Sequence, residues 1–180
     1  MKRAIGLIVA VLACSAVQSE NYYSASVTKF DTNDGDLELH AITVTYGTVL
    51  SESVSGELRF GLGVDDQTYN EYTGYDYYDV GVVEIDYSLG AYLKFSPASG
   101  EIIPYAIFGL TKLKANSEGY TYRDGYYGVS DINYYSSSVS EDDISLGLGI
   151  DFANGFNIEY MQYIDKGGLE LNGLSLGMKF

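Results

Sequence analysis

Val54-Ser55-Gly56-Glu57-Leu58-Arg59-Phe60-Gly61-Leu62-Gly63-Val64-Asp65 alternates from end to end. Val54, Leu58, Phe60, Leu62 and Val64 share one parity, with Gly56 among them, and Ser55, Glu57, Arg59, Gly61 and Gly63 share the other. Successive side chains of a pleated strand point to opposite faces, so this stretch reads as a β-strand with an oily wall and a polar wall. The pattern recurs. In 81–95, Val83, Ile85, Tyr87, Leu89, Ala91, Leu93 and Phe95 oppose Glu84, Asp86, Ser88, Gly90, Tyr92 and Lys94. In 144–152, Ile144, Leu146, Leu148, Ile150 and Phe152 oppose Ser145, Gly147, Gly149 and Asp151. Phe156, Ile158 and Tyr160 oppose Asn157, Glu159 and Met161, and Leu174, Leu176, Met178 and Phe180 oppose Gly173, Ser175, Gly177 and Lys179. Weaker alternation covers 22–30, 37–49 and 102–115. Eight strands result, several longer than the roughly five or six residues of an average soluble strand.

The connections alternate as well. Those near 50–53, 96–101 and 153–155 are short, whereas 66–79 and 116–143 are long and fall at odd positions in the order. Tight turns at one end and large loops at the other are the mark of an up-and-down barrel that crosses a membrane. Composition agrees. The 180 residues carry 25 Asp+Glu against 10 Lys+Arg, a formal charge of −15, which removes the cations a nucleic-acid binder needs. With 46% hydrophobic residues and a mean hydropathy of −0.03, the chain is no disordered acidic tail. Gly (21) and Tyr (19) are abundant and disfavour a helical protein, and one Cys and one His leave no disulfide framework or zinc site.

Alternation alone also fits a soluble, lipocalin-like barrel with its oily parity inside. Four features favour the inverted arrangement. The polar parity is crowded with Gly and Ser, as a narrow eight-stranded bore requires. The apolar parity spans four or more positions in several strands, enough for a band roughly 25 Å tall. Centring the hairpin on 66–79 puts Arg59 opposite Asp86, with Glu57 and Glu84 on the same face, which suggests enclosed charge. The run Leu174, Leu176, Met178, Phe180 stays apolar at every second position. The expected fold is therefore all-β, an eight-stranded antiparallel up-and-down transmembrane β-barrel over 20–180.

Before it lies an export signal. Met1-Lys2-Arg3 is cationic, 5–13 is an uncharged apolar run too short to span a bilayer, and small residues follow to Ser19. Cleavage is expected after Ser19, giving a cleaved signal peptide over 1–19 and a mature charge of −17, two cations fewer than the precursor's −15. Cleavage after Ala16, or a lipoprotein-type signal at Cys14, are the alternatives.

Gly173-Leu174-Ser175-Leu176-Gly177-Met178-Lys179-Phe180 resembles the C-terminal strand of bacterial outer-membrane proteins. Pro104-Tyr105-Ala106-Ile107-Phe108-Gly109-Leu110 and Asn157-Ile158-Glu159-Tyr160-Met161-Gln162-Tyr163 are similar to segments of the small outer-membrane β-barrel family that includes OmpX-like, OmpA-barrel-like and opacity-type proteins. The resemblance covers essentially the whole mature chain. It implies residence in a Gram-negative outer membrane, contact with its lipid and lipopolysaccharide, and an assembly signal in Leu174, Leu176, Met178 and Phe180 read by the barrel-assembly machinery. The sequence departs from the family in having no Trp for its aromatic girdles, so Tyr and Phe must fill them.

Glu57, Arg59, Glu84, Asp86 and Glu159 are expected to project into the lumen. They could line an ion path, but a bore this narrow is filled by its own side chains, and a structural salt-bridge plug is the preferred reading. Four acids around one Arg would leave negative charge uncompensated. The two long loops hold eleven of the 19 Tyr. Candidate contacts for an extracellular partner are Tyr72, Tyr75, Tyr77, Tyr78, Tyr126 and Tyr127, since Tyr-rich loops supply rigid amphipathic contact area. The competing reading makes these loops strand extensions, with Tyr girdling the interface and acids keeping them soluble. His40 is the lone imidazole. Outer-membrane lipid A deacylases carry a Ser two residues after their membrane-facing His, and Ile42 stands there. No nucleophile elbow, phosphate loop or metal cluster is present. No catalytic residue, cofactor or metal is expected. The function expected is structural or surface-interactive, with a porin-like channel as the alternative and a lipid-modifying enzyme disfavoured.

Overall fold

In the computed structural model, residues 20–32, 38–74, 77–97, 99–125, 128–166 and 169–180 are described. The expected signal peptide, 1–19, lies outside them, as do Tyr75, Tyr126 and Tyr127. The described chain is strand almost throughout: β1 (Asn21–Thr32), β2 (Glu38–Ser51), β3 (Val54–Gly63), β4 (Asp66–Gly74), β5 (Tyr77–Phe95), β6 (Ile102–Gly125), β7 (Gly128–Phe152), β8 (Phe156–Lys166) and β9 (Leu169–Lys179). All neighbours are antiparallel, in the order β3-β2-β1-β9-β8-β7-β6-β5-β4. The sheet closes because β5 pairs with β3 along one half and with β4 along the other. β3 and β4 are thus one stave interrupted at Val64 and Asp65, and the ring has eight staves.

Closure brings the ends of the chain together. β1 pairs with β9 from Ser24↔Lys179 to Thr32↔Leu171, and the Phe180 N–H donates to the Tyr23 carbonyl at 2.8 Å. With no free edge, the wall can sit in hydrocarbon without orphaned backbone groups. Leu62, Leu89 and Leu148 lie on the outside, as do Val27, Ile42, Val44, Phe60, Phe108, Ile144, Leu146, Leu174, Leu176 and Met178. Along β7 the outward run from Ile144 to Phe152 rises roughly 20 Å for a strand tilted by about 40°, most of the height of a hydrocarbon band. Tyr23, Tyr46, Phe95, Phe152, Phe156 and Phe180 ring its lower edge near the tight turns; the Tyr23–Tyr46 and Phe152–Phe156 ring centroids are 5.6 and 5.8 Å apart. Without Trp, these phenol and phenyl rings make the girdle.

Two expectations change at the other end. Segments 66–79 and 116–143 are not long loops. β6 and β7 have 24 and 25 residues, against the roughly 9–11 a strand needs to cross a bilayer. With β4 and β5 they rise as a four-stranded tower well above the other staves. The hairpin centre consequently sits further along the chain than a 66–79 loop would put it. Arg59 pairs with Gly90, not Asp86.

The glycines of the inner parity permit the narrow bore. A Cβ on Gly109 would lie 2.2 Å from the Ala91 carbonyl oxygen and 2.7 Å from Tyr92 Cα. Gly109→Val is therefore expected to prevent folding into lipid vesicles. Leu148→Arg, at mid-belt, is expected to cost about 2–4 kcal/mol. Urea titrations of vesicle-embedded protein, read by the shift in gel mobility between folded and heat-denatured forms, measure both.

Candidate functional site

Side chains fill the lumen in two storeys. The lower storey, near the tight turns, is ionic. The Arg59 guanidinium donates to Glu57 from Nε at 2.9 Å and Nη2 at 2.6 Å, and to Glu159 from Nη1 at 2.5 Å and Nη2 at 2.9 Å. Tyr22 donates to Glu57 at 2.5 Å and Tyr105 to Glu159 at 3.0 Å. Lys94 donates to Asp151 at 2.7 Å, with its ammonium 3.7 Å from the centroid of the Tyr105 ring. The space left in this layer is about 20 Å³, room for about one water. Above it Tyr92, Thr111 and Ser145 form a hydroxyl chain with 2.6 Å links, ending on the Tyr163 carbonyl at 2.9 Å.

The upper storey is apolar. Phe30, Leu39, Ala41, Ile85, Leu113, Ile164 and Leu171 form a buried cluster with the Tyr163 ring, which lies 5.0 Å from that of Phe30, and Ile107 and Met161 carry the cluster down beside the hydroxyl chain. Glycines, serines and ions therefore fill only part of the bore. Two bulges account for much of the difference. Between Ile85 and Tyr87 the β5–β6 register shifts, turning Ile85 inward; between Gln162 and Ile164 the β8–β9 register shifts, turning Ile164 inward beside Tyr163.

Glu57, Arg59 and Glu159 come together, as their shared parity suggested. Glu84 and Asp86 do not join them. Above the β5 bulge, parity inverts and Glu84 is exposed on the outer wall. Asp86, at the bulge, accepts a 2.6 Å bond from Lys114, whose alternating position on β6 faces outward. The charge imbalance expected in the lumen shrinks with them, because Lys94 enters the network and three carboxylates face two cations. Lys94 and Asp151 were missed as members, although both already stood on the polar parity of their strands.

The tower has two distinct faces. On the inner face Tyr135 donates to Asp79 at 2.6 Å and is hydrogen-bonded to Tyr69, tying β7, β5 and β4 together over Gly81 and Gly119. Burial, then the bonds to Asp79 and Tyr69, push the Tyr135 hydroxyl above the usual phenol range. On the outer face a ladder of rings crosses all four strands. Centroid separations are 5.2 Å for Tyr72–Tyr78, 5.1 Å for Tyr78–Tyr122, 6.1 Å for Tyr120–Tyr122 and 5.9 Å for Tyr120–Tyr134. Of the candidate contacts, Tyr72 and Tyr78 belong to this ladder. Tyr77 instead meets the Arg123 guanidinium, 5.6 Å from its ring centroid. Tyr120, Tyr122 and Tyr134 were not singled out, although each shares the even parity of its strand. Tyr120 stands ten residues beyond lipid-facing Leu110, roughly 25 Å higher on a tilted strand. The ladder is therefore no interfacial girdle.

His40 sits at the tower's base, where the β3–β4 stave breaks. Its backbone N–H donates to Asp65 Oδ1 at 2.6 Å and its ring Nδ1 lies 2.5 Å from Oδ2. Ile42 is exposed on the outer wall. Among the described residues no group of three or more His, Cys, Asp or Glu is arranged to hold a metal.

No protein-family model and no curated protein matches the sequence. Solved structures do match in shape. Ail, the attachment invasion locus protein of Yersinia pestis, in complex with the heparin analogue sucrose octasulfate, aligns with a TM-score of 0.56 at 17% identity, over 91% of this chain and 100% of Ail. A second Ail structure gives 0.52 at 15% identity over the same shares. Neisserial surface protein A gives 0.50 at 12% identity, over 88% of this chain and 95% of its own. The fold is that of the small bacterial outer-membrane barrels. Identities this low establish a common architecture and leave this chain's lumen and tower to be read from its own residues.

Arg59→Leu leaves Glu57 and Glu159 buried without their shared cation and is expected to destabilise the barrel by about 3–5 kcal/mol. Asp86→Asn, outside the network, is expected to leave urea stability unchanged. Burial would raise the Asp65 carboxyl, but the His40 N–H and ring outweigh it and hold Asp65 below the usual carboxylate range. A depressed carboxyl stabilises above its unfolded pKa and loses that contribution as pH falls through its folded value. Exchange protection of the His40 amide is thus expected to be steady above about pH 4 and to fall below it, and to be low at every pH in Asp65→Ala.

Proposed function

We propose that the protein is exported on the signal at 1–19, inserts in the outer membrane of a Gram-negative envelope, and acts at the cell surface as a contact protein, with its tower as the working part. The observation that carries this reading is the contrast between lumen and tower. The bore is closed by the Arg59 network and sealed above by the Phe30–Leu39–Ile85–Leu113 cluster, whereas the tower carries a tall, ring-studded face into solvent. Tight packing below gives the tower a rigid footing. Tyrosine-rich surfaces supply contact area at small conformational cost. Insertion would use the C-terminal strand as its assembly signal, with Leu174, Leu176, Met178 and Phe180 all exposed on the lipid side.

Attachment is part of Ail's own name, and the shared architecture supports a similar use of the extracellular end here. The sulfated ligand of that complex does not transfer. This chain's tower carries Glu118, Glu84 and Asp66 on its outer face, and at a mature charge of −17 it would repel a polyanion. A porin-like role is disfavoured by the filled bore, and no catalytic step is assigned.

Fractionation with protease shaving tests the reading. Heat-modifiable mobility in the outer-membrane fraction, with cuts of intact cells confined to 66–79 and 116–143, is the expected result. Protein recovered in the aqueous periplasmic fraction would overturn it. Planar-bilayer recordings are expected to be silent at the nanosiemens scale, and steady conductance at that level would restore the channel.

A further inference from the structure

Just below the tyrosine ladder, the outer face of the tower is indented by a shallow groove of about 470 Å³. Val80 and Val82 of β5 form its floor, Tyr120 and Tyr134 its upper wall, and Thr68, Glu118 and Ser136 its lower lip. Strand pairing explains the shape. The cross-strand row Thr68–Val82–Glu118–Ser136 is short or flexible, and the next row up, Asn70–Val80–Tyr120–Tyr134, ends in two large rings. Tyr134 is 80% exposed, too much for a ring whose only role is packing.

Charge and ring geometry together select the occupant. Glu118 is exposed at the lip, and the row beneath it adds Asp66 and Glu84. The described residues of these outward rows include no Lys or Arg. Lys114, one step lower, is already bonded to Asp86. Elsewhere in the chain tyrosine faces repeatedly take cations: Arg123 over Tyr77, Lys94 over Tyr105 and Lys179 over Tyr22. A carboxylate beside the exposed face of Tyr134 suits a guanidinium or ammonium group. A neutral sugar would stack on a single tyrosine face as well, but it gains no charge attraction from Glu118, Asp66 and Glu84. The strongly negative chain would also draw a basic partner from a distance, an advantage a neutral glycan does not have.

We propose that this groove binds a basic polypeptide segment, an arginine or lysine side chain lying along the Val80–Val82 floor against the exposed face of Tyr134 with its charge toward Glu118. The proposal deepens the surface-contact reading and rests on it for biological meaning, but binding itself can be tested separately. The chain has no Trp, so a tetra-arginine amide bearing one tryptophan reports its own binding to the full barrel folded in zwitterionic micelles. Saturable binding is expected, weakened about two- to fivefold by Glu118→Gln or by Tyr134→Ser and about tenfold by the two together. Glu52→Gln, on the tight-turn end, is expected to change nothing. Heat-modifiable mobility verifies that each variant is folded. Equal binding of a tryptophan-bearing tetra-glutamine, or binding unmoved by the groove variants, would overturn the proposal. So would displacement of the probe by maltohexaose, which would assign the groove to glycans. Because the measurement is made on purified barrel, a failure here is distinct from a failure of protease shaving on cells.

Discussion

A wall immersed in hydrocarbon must satisfy every backbone N–H and C=O from within, because no water is present to do so. That requirement governs this molecule. It forces β1 onto β9, carries the Tyr23–Phe180 pairing to the end of the strands, and makes β5 the shared neighbour of β3 and β4 where their stave breaks. Once the ring is closed, each residue has only two destinations, lipid or bore. Eight staves leave a bore that is narrow enough for glycines to be a steric necessity. Gly109 faces the β5 backbone, and Gly47 and Gly90 lie under the Tyr22 and Tyr92 rings, so the large inner residues occupy space their glycine neighbours give up.

Bulges modulate this two-way choice. One extra residue in a strand reverses inside and outside for all that follows. At Asp86 the reversal takes place near the top of the lipid belt, where an outward carboxylate can meet Lys114 and water. It also moves Ile85 into the bore, so the same irregularity helps assemble the apolar storey and puts Glu84 on the tower's outer face. The Tyr163 bulge does the same for Ile164. The ionic lower storey has a register shift only at its turn edge, between Val49 and Ser51, and within it each charge finds a partner: Arg59 lies between two carboxylates, and Lys94 between Asp151 and the Tyr105 face.

This explains which parts of the structure were legible beforehand. Strict alternation in 54–65, 144–152, 156–161 and 173–180 sorts each strand into two faces, and the glycines and serines crowded on one of them mark the bore, so the belt, the lumen triad Glu57–Arg59–Glu159 and the exposed Phe180 could be read directly. A bulge leaves no comparable mark. Nothing in Val83-Glu84-Ile85-Asp86-Tyr87 distinguishes an alternating strand from one that inverts halfway, and the inward placement of Glu84 and Asp86 failed there. The tower was visible only as one of two competing readings, strand extensions against loops, for a different reason. Segments 66–79 and 116–143 are polar on both faces, because above the membrane both faces meet water. Without an oily parity, period two disappears from hydropathy, although Tyr72, Tyr78, Tyr120, Tyr122 and Tyr134 keep it in their even numbering.

Height gives the tyrosine ladder its meaning. Tyrosines at the level of a headgroup region need no further purpose, since a ring that is apolar on its body and polar at its tip is at home there. Rings roughly 25 Å above the last lipid-facing leucine gain nothing from lipid. Their mutual packing buries only part of them, as the exposure of Tyr72 and Tyr134 attests. A soluble hairpin would be served as well by Thr or Ser, which the same strands use freely at Thr68, Ser136 and Ser138. The rows between belt and ladder, from Lys112 and Lys114 up to Asp66, Glu84 and Asn116, are charged or amide-bearing and separate the two aromatic zones cleanly. An aromatic surface held clear of the membrane on paired backbone, above a plug that leaves its base little freedom to yield, suits the surface-contact role proposed above.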